Sequence, residues 1–480
     1  MNILKNSVAL GFLWSFIERF ASKGVQFVIG IILARLLLPY DYGLVAMISV
    51  FLVIAEVFIE GGFSNALIRS THPSDSDYST VFYFNLGISV IIYIFLFFFS
   101  EAIGRFYSEL KLIALVRIIS LNLIINSLSI VQRTMLTIAM DFKKQTIISL
   151  VAVVVSGIVG ILAAVSGYGY WALVIQSILN SLINTIILWL TTKWHPLLAF
   201  SFHSFRSMFS FGYKLLLSSI LHNLYNKLYV VVIGKRFSSS DVGYYNNAYT
   251  LSSFLSINLT DTMVRVMYPA LCRLNGNDHE FKKTFADYLR LSAYLIFPLM
   301  IGMAVLSEPL VIVLLTNKWI YLVPLLQILC VSFMFYPMTV INNQVLNAKG
   351  KSDFFLKAEI IKKVLGIVIL VITVSFGLRA ICVGLLIYSI LDFIIIVFFT
   401  NRLIGTSFLY QIRLNLPIVL ISSTMGAVVY ASQTIIDNNL LKLLLGFSFG
   451  FFYYLFSSFL FRLPELRHIL TFFGWNYYGK

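Results

Sequence analysis

Two cations and an acid stand inside an apolar stretch long enough to cross a bilayer. Glu18, Arg19 and Lys23 interrupt the run from about Leu10 to Leu38. On a helix, Ser15, Arg19, Ser22, Lys23, Gln26 and Gly30 fall at steps of three and four and form one stripe, while Glu18 projects about 100° away from Arg19. A charge at the centre of a bilayer costs about 2.5 to 3.5 kcal/mol on insertion scales, so that stripe must face other helices or water. A single charge reads as half of a buried ion pair. A stripe of six reads as the wall of a polar cavity, where unneutralised cations receive an anion and the arginine fork suits phosphate.

Other polar groups sit inside apolar stretches at helical spacing. Glu56 and Glu60 share a face with Ser49; they either neutralise Arg19 or Lys23, or hold a proton or sodium ion. Asn122, Asn126, Ser129 and Arg133 make a further stripe, with Arg117 on a different face. Asparagine and serine stripes also simply bond helices together. Asn223, Asn226 and Lys227 lie well within a later stretch, and Asp261 and Arg265 one turn apart suggest a local ion pair. Asp392 is an intramembrane acid without an evident partner. The expected cavity residues are therefore Arg19, Lys23, Gln26, Asn126, Arg133, Asn223, Asn226 and Lys227, with Glu18, Glu56 and Glu60 balancing charge or coupling an ion.

The elements that position these groups are membrane spans. Of 480 residues, 59% are hydrophobic and 11% charged, against roughly 25% charged in soluble domains. Apolar segments bounded by loop signals occur at about 10–38, 42–67, 80–100, 112–138, 145–165, 168–191, 208–234, 242–270, 284–306, 320–347, 354–376, 379–400, 414–436 and 439–461, which predicts about fourteen transmembrane helices. The fold class is an all-α polytopic membrane protein. With the amino terminus inside, the cytoplasmic segments hold about 17 Lys and Arg and the opposite side about 7, so both termini are expected in the cytoplasm.

The loops leave no room for a soluble catalytic domain, no nucleic-acid motif accompanies the net charge of +15, and Cys272, Cys330 and Cys382 have no metal or disulfide spacing. Gly167, Gly169 and Trp171 form a turn between spans, not a phosphate loop. No cofactor is expected, and coupling to protons or sodium stays open.

A repeat relates the two halves. Lys235, Asp241 and Gly243 follow Arg35, Asp41 and Gly43 at an offset of 200, and Ser256 and Thr260 stand where Glu56 and Glu60 stand. Six spans separate equivalent positions, so the halves are parallel repeats. The expected division is 1–200, 201–405, and two additional helices with a cytoplasmic tail at 406–480.

The run Trp14, Glu18, Arg19, Gln26, Ala34, Arg35, Pro39, Tyr42, Gly43, Ala46 and Met47, followed by Gly62, Phe63, Ala66 and Leu67, resembles the opening of the Wzx-type lipopolysaccharide and exopolysaccharide flippases. These belong to the multidrug/oligosaccharidyl-lipid/polysaccharide exporter superfamily. Phe106 with Tyr107, Asp141 to Lys143 and Gly243 to Tyr245 are similar to later blocks. The resemblance implies two six-helix lobes around a central cavity that move a polyprenyl-diphosphate-linked oligosaccharide from the cytoplasmic to the periplasmic leaflet of the bacterial inner membrane, and the expected diphosphate grip is Arg19, Lys23 and Arg133. Its implied partners are the bilayer, a polysaccharide polymerase and a chain-length regulator. Members often carry an acid where this chain has Lys227. A cation-coupled multidrug exporter of the same fold is the alternative, and a membrane-embedded glycosyltransferase or polysaccharide polymerase a more distant one.

Overall fold

Helix formation follows from apolar segments whose ends carry side-chain caps. Ser74, Asp141, Asn277, Ser407 and Asn438 each accept a backbone N–H of the first turn that follows. The computed structural model describes residues 23–70 and 73–466, and no strand occurs among them. Glu18 and Arg19 lie outside the described residues. Eleven helices among the described residues are long and apolar enough to cross a membrane. Of the other three expected spans, the first falls only partly within the described residues. The helices Ser239–Arg273 and Ser352–Thr373 are long enough but too polar for that measure, so fourteen remains an expectation.

The chain divides into two compact units, Met1–Gly243 and Tyr244–Lys480. In the first, α1 (23–36) lays Ile29, Leu33 and Leu37 against Val153, Ile161 and Leu173 of α8 (Phe142–Val165) and α9 (Tyr170–Thr191). Lys23 and Gln26 are exposed on α1. Helices α8 and α9 form a hairpin turned by Gly167 and Gly169, both at positive φ. Helix α10 (Phe202–Arg236) packs on α2 (Pro39–Glu60), α3 (Phe63–Arg69) and α4 (Asp75–Tyr107), which brings it into this unit although the repeat begins anew near residue 200.

Two positions equivalent in the repeat touch. A Cβ on Gly43 would lie 1.7 Å from the carbonyl oxygen of Ser239, and one on Gly243 would lie 1.9 Å from that of Pro39. Only glycine admits this crossing of α2 with the start of α11 (Ser239–Arg273). Glu109 ties the same ends, accepting from the Tyr40 hydroxyl at 3.0 Å and from the Ser239 hydroxyl at 2.8 Å.

In the second unit, α12 (Asp278–Val305), α14 (Val323–Ala348) and α16 (Leu378–Ile404) share a core that includes Phe281, Phe285, Ile341 and Phe393. Helix α17 (Phe408–Gln433) packs on α12 and α18 (Asn439–Leu460) on α17. Buried polar contacts fasten these last helices. Asn342 and Gln411 exchange amide hydrogen bonds of 2.9 and 3.0 Å, the Tyr454 hydroxyl donates to the Tyr294 carbonyl, and Arg290 pairs with Glu465. Asp392 does have a partner. The Lys362 ammonium on α15 (Ser352–Thr373), 3% exposed as a residue, sits 3.0 Å from Asp392 and 2.5 Å from Glu359. The local pair expected of Asp261 and Arg265 is absent from the ion pairs of the described residues.

Candidate functional site

Two spans of the first unit are interrupted at the level of their polar residues. The second span breaks after Glu60, where Gly61 and Gly62 take φ of 51° and 75° before α3. Position 62 admits no side chain, since its Cβ would stand 2.9 Å from the backbone of Gly212 on α10. The fourth span is three pieces, α5 (Lys111–Ile119), α6 (Leu121–Ser127) and α7 (Ile130–Ile138), with the second break at Leu128 and Ser129. Irregular backbone at membrane depth is tolerated where protein buries it or a wet cavity borders it. Both conditions hold here.

The breaks border a cavity of about 430 Å³. Glu56 and Glu60 of α2 enter it one turn apart, Asn126, Ser129, Arg133 and Thr137 line a second side, and Asn180, Ser181 and Asn184 of α9 line a third. Packing fixes the walls. Ser127 receives a hydrogen bond from Ser89 at 3.0 Å, Thr185 donates to the Ile125 carbonyl at 3.0 Å, and Trp189 donates to that of Leu128 at 2.9 Å. The last two bonds satisfy carbonyls around the broken turn. Arg133 donates to the Asn184 amide oxygen at 3.4 Å and lies close enough to both glutamates to act on them electrostatically. Neither glutamate makes an ion pair with a described residue. An ensemble of two carboxylates, one guanidinium, three amides and several hydroxyls can exchange many hydrogen bonds with a polar ligand.

Of the expected site residues, the cavity collects Glu56, Glu60, Asn126 and Arg133. Lys23 and Gln26 do not line it. Asn223 and Asn226 bond within their own helix, to the Ser219 carbonyl at 2.9 Å and to His222 at 2.8 Å, and Lys227 is half-buried beside them. Asn122 leaves the stripe and bonds Ser177 at 2.9 Å, a helix-to-helix contact. Arg117 is held by Ser100 and Glu101. In the repeat, Ser256 and Thr260 replace the two glutamates; both are fully buried and donate to the Phe333 and Ser256 carbonyls. The equivalent positions in the second unit are thus closed by helix packing. Asn180, Ser181 and Asn184 line the cavity without having been among the expected site residues. Their signal was present, because with Ser177 they recur at steps of three and four in an apolar stretch.

A family model described as polysaccharide biosynthesis protein matches residues 32–324. The chain is 24% identical over 440 residues to the lipopolysaccharide biosynthesis protein WzxC of Escherichia coli (strain K12), covering 88% of this chain and 89% of that one. It is 25% identical to the succinoglycan biosynthesis transport protein ExoT of Rhizobium meliloti (strain 1021), covering 66% of this chain and 65% of that one. It is 26% identical to the teichuronic acid biosynthesis protein TuaB of Bacillus subtilis (strain 168), covering 63% of each. Among solved structures, the lipid II flippase MurJ in its inward closed conformation matches with TM-score 0.75 at 18% identity, covering 94% of this chain and 98% of that one. An inward-facing multidrug resistance MATE family transporter matches with TM-score 0.65 at 16% identity, covering 82% and 98%. These structural likenesses concern the fold.

Proposed function

The chain belongs to the polysaccharide biosynthesis protein family, and on that premise we propose that it is a flippase for polyprenyl-diphosphate-linked oligosaccharide. It is a transporter and not an enzyme. The lipid-linked glycan passes from the cytoplasmic to the periplasmic leaflet of the bacterial inner membrane by alternating access, with both termini in the cytoplasm. Arg19 and Lys23 hold the diphosphate, the sugars enter water-filled space between helices, and the prenyl tail stays in lipid. A polymerase and a chain-length regulator then use the delivered lipid-linked unit.

The observation that carries this reading is the polar cavity of the first unit. Helices with 18-residue stretches of mean hydropathy 2.4, 1.9 and 1.8 border a space lined by carboxylates, amides and a guanidinium. Polar groups at that depth are costly unless they serve a polar cargo or one another. Complementation of flippase-deletion strains with known glycan structures tests it. Restored surface polysaccharide is expected in a strain whose repeat unit fits.

One feature favours a cation-coupled drug exporter, namely that Glu56 and Glu60 have no ion-pair partner among the described residues. That reading requires a raised drug tolerance in the expressing strain and no recovery of polysaccharide.

A further inference from the structure

We infer that the cavity bounded by α2, α6, α7 and α9 is a subsite for an uncharged sugar ring of the lipid-linked glycan, and that Glu56, Glu60 and Asn184 select against acidic sugars. The inference rests on the flippase reading and deepens it.

Lining and scale favour an occupant larger than a bare cation. A calcium-like ion needs several oxygens converging within about 2.6 Å, no group of three or more acidic, histidine or cysteine side chains that could hold a metal occurs among the described residues, and the space of about 430 Å³ has the scale of small-molecule pockets. Charge excludes the diphosphate. Among the described lining residues two carboxylates face one guanidinium, that of Arg133, and this excess of acidic over basic groups repels a phosphate or a uronate entering the space. What remains is a neutral ligand rich in hydroxyls. Carboxylates accept from its O–H groups, and the Asn126, Asn180 and Asn184 amides both donate and accept. Arg133 moderates the two acids, and its bond to Asn184 positions that amide at the cavity edge. This proposal places Arg133 beside the sugar and leaves Arg19 and Lys23 on the diphosphate.

The test uses purified full-length protein in liposomes and two fluorescent polyprenyl-diphosphate disaccharides, one ending in glucose and the other in glucuronate. Transport rates are measured over a concentration series. Wild type is expected to move the glucose lipid at least about tenfold better at limiting concentration, the scale of one unneutralised like-charge contact. The isosteric double variant Glu56→Gln/Glu60→Gln is expected to bring the two lipids within about threefold. Asn184→Ala is expected to raise the half-saturating concentration of the glucose lipid several-fold at an unchanged maximal rate, and Lys23→Ala to slow both lipids equally.

Equal transport of the two lipids by wild type overturns the subsite and leaves the flippase reading standing; this comparison needs no variant to fold. A double variant that keeps the wild-type preference, or that loses only its dependence on an ion gradient, also overturns it and makes the acids an ion site. Failure of wild type to move either lipid overturns the subsite, and failure to move the lipid-linked glycan of its own host strain as well overturns the flippase reading.

Discussion

Arg133 meets an amide oxygen at 3.4 Å and faces two acids without pairing to either. A long hydrogen bond on an accessible side chain contributes little to stability, about 1 kcal/mol or less. Removing the charge, however, leaves both acids without the cation that acts on them among the described residues. Arg133→Ala is therefore expected to melt within a few degrees of wild type while its transport of lipid-linked glycan falls at least about tenfold. Arg133→Lys should keep transport within about threefold because the charge persists. For Arg19 we propose a different role. If its forked group grips phosphate, Arg19→Lys should transport partially and Arg19→Ala not at all, with both as thermally stable as wild type. An Arg19→Ala protein that transports normally, or that fails only by not folding, removes the recognition role. The stripe of Asn126, Ser129 and Arg133 was legible from spacing alone, as was the pair Glu56 and Glu60. The loss of Asn122 to Ser177 was not, since spacing names a face and leaves its neighbour unspecified. The Lys362 partner of Asp392 was hidden for the same reason. It lies on another helix, and only tertiary packing brings an ammonium between Glu359 and Asp392.

Helices reveal a second kind of constraint, in which backbone approach or a buried charge fixes how two elements meet. Where α2 crosses the start of α11, a methyl group on Gly43 or Gly243 would overlap a carbonyl oxygen of the other strand of the crossing. Gly43→Ala and Gly243→Ala should each cost about 1 to 3 kcal/mol, as over-packed sites do. A lowered melting temperature checks this, and an unchanged one contradicts the crossing. On α15 and α16, Lys362→Met strands Asp392 in the bundle, a loss of about 3 to 5 kcal/mol of the kind seen when one member of a buried pair is removed. The double change Lys362→Met/Asp392→Asn should recover much of it, which a simple packing defect at 362 would not allow. The repeat offset of 200 announced that residues 43 and 243 are equivalent, yet equivalence carries no information on contact. The breaks were only half legible. Gly61 and Gly62 punctuate the second span as paired glycines do. The interruption at Leu128 and Ser129 falls within an unbroken polar periodicity, and a local tightening of the helix does not disturb that pattern.

At the scale of the whole chain, composition and hydropathy sufficed for an all-helical membrane protein, and eleven described helices meet the length and apolarity of a span. The expectation of fourteen depends on segments whose polar residues offset their length. Ser352–Thr373 carries the charges Asp353, Lys357, Glu359, Lys362 and Lys363, and Ser239–Arg273 is similarly polar. Reporter fusions at Lys480 and near Asp437 should lie on opposite sides of the membrane, the former cytoplasmic; the same side for both contradicts the expected topology. Movement of a lipid-linked glycan between leaflets is measured as the rate at which a fluorescent polyprenyl-diphosphate oligosaccharide becomes accessible to an outer-leaflet quencher in liposomes containing the purified protein. Movement is expected to scale with protein content and to collapse in Arg19→Ala. Movement no faster than in protein-free liposomes, across glycans the host strain assembles, contradicts the flippase reading.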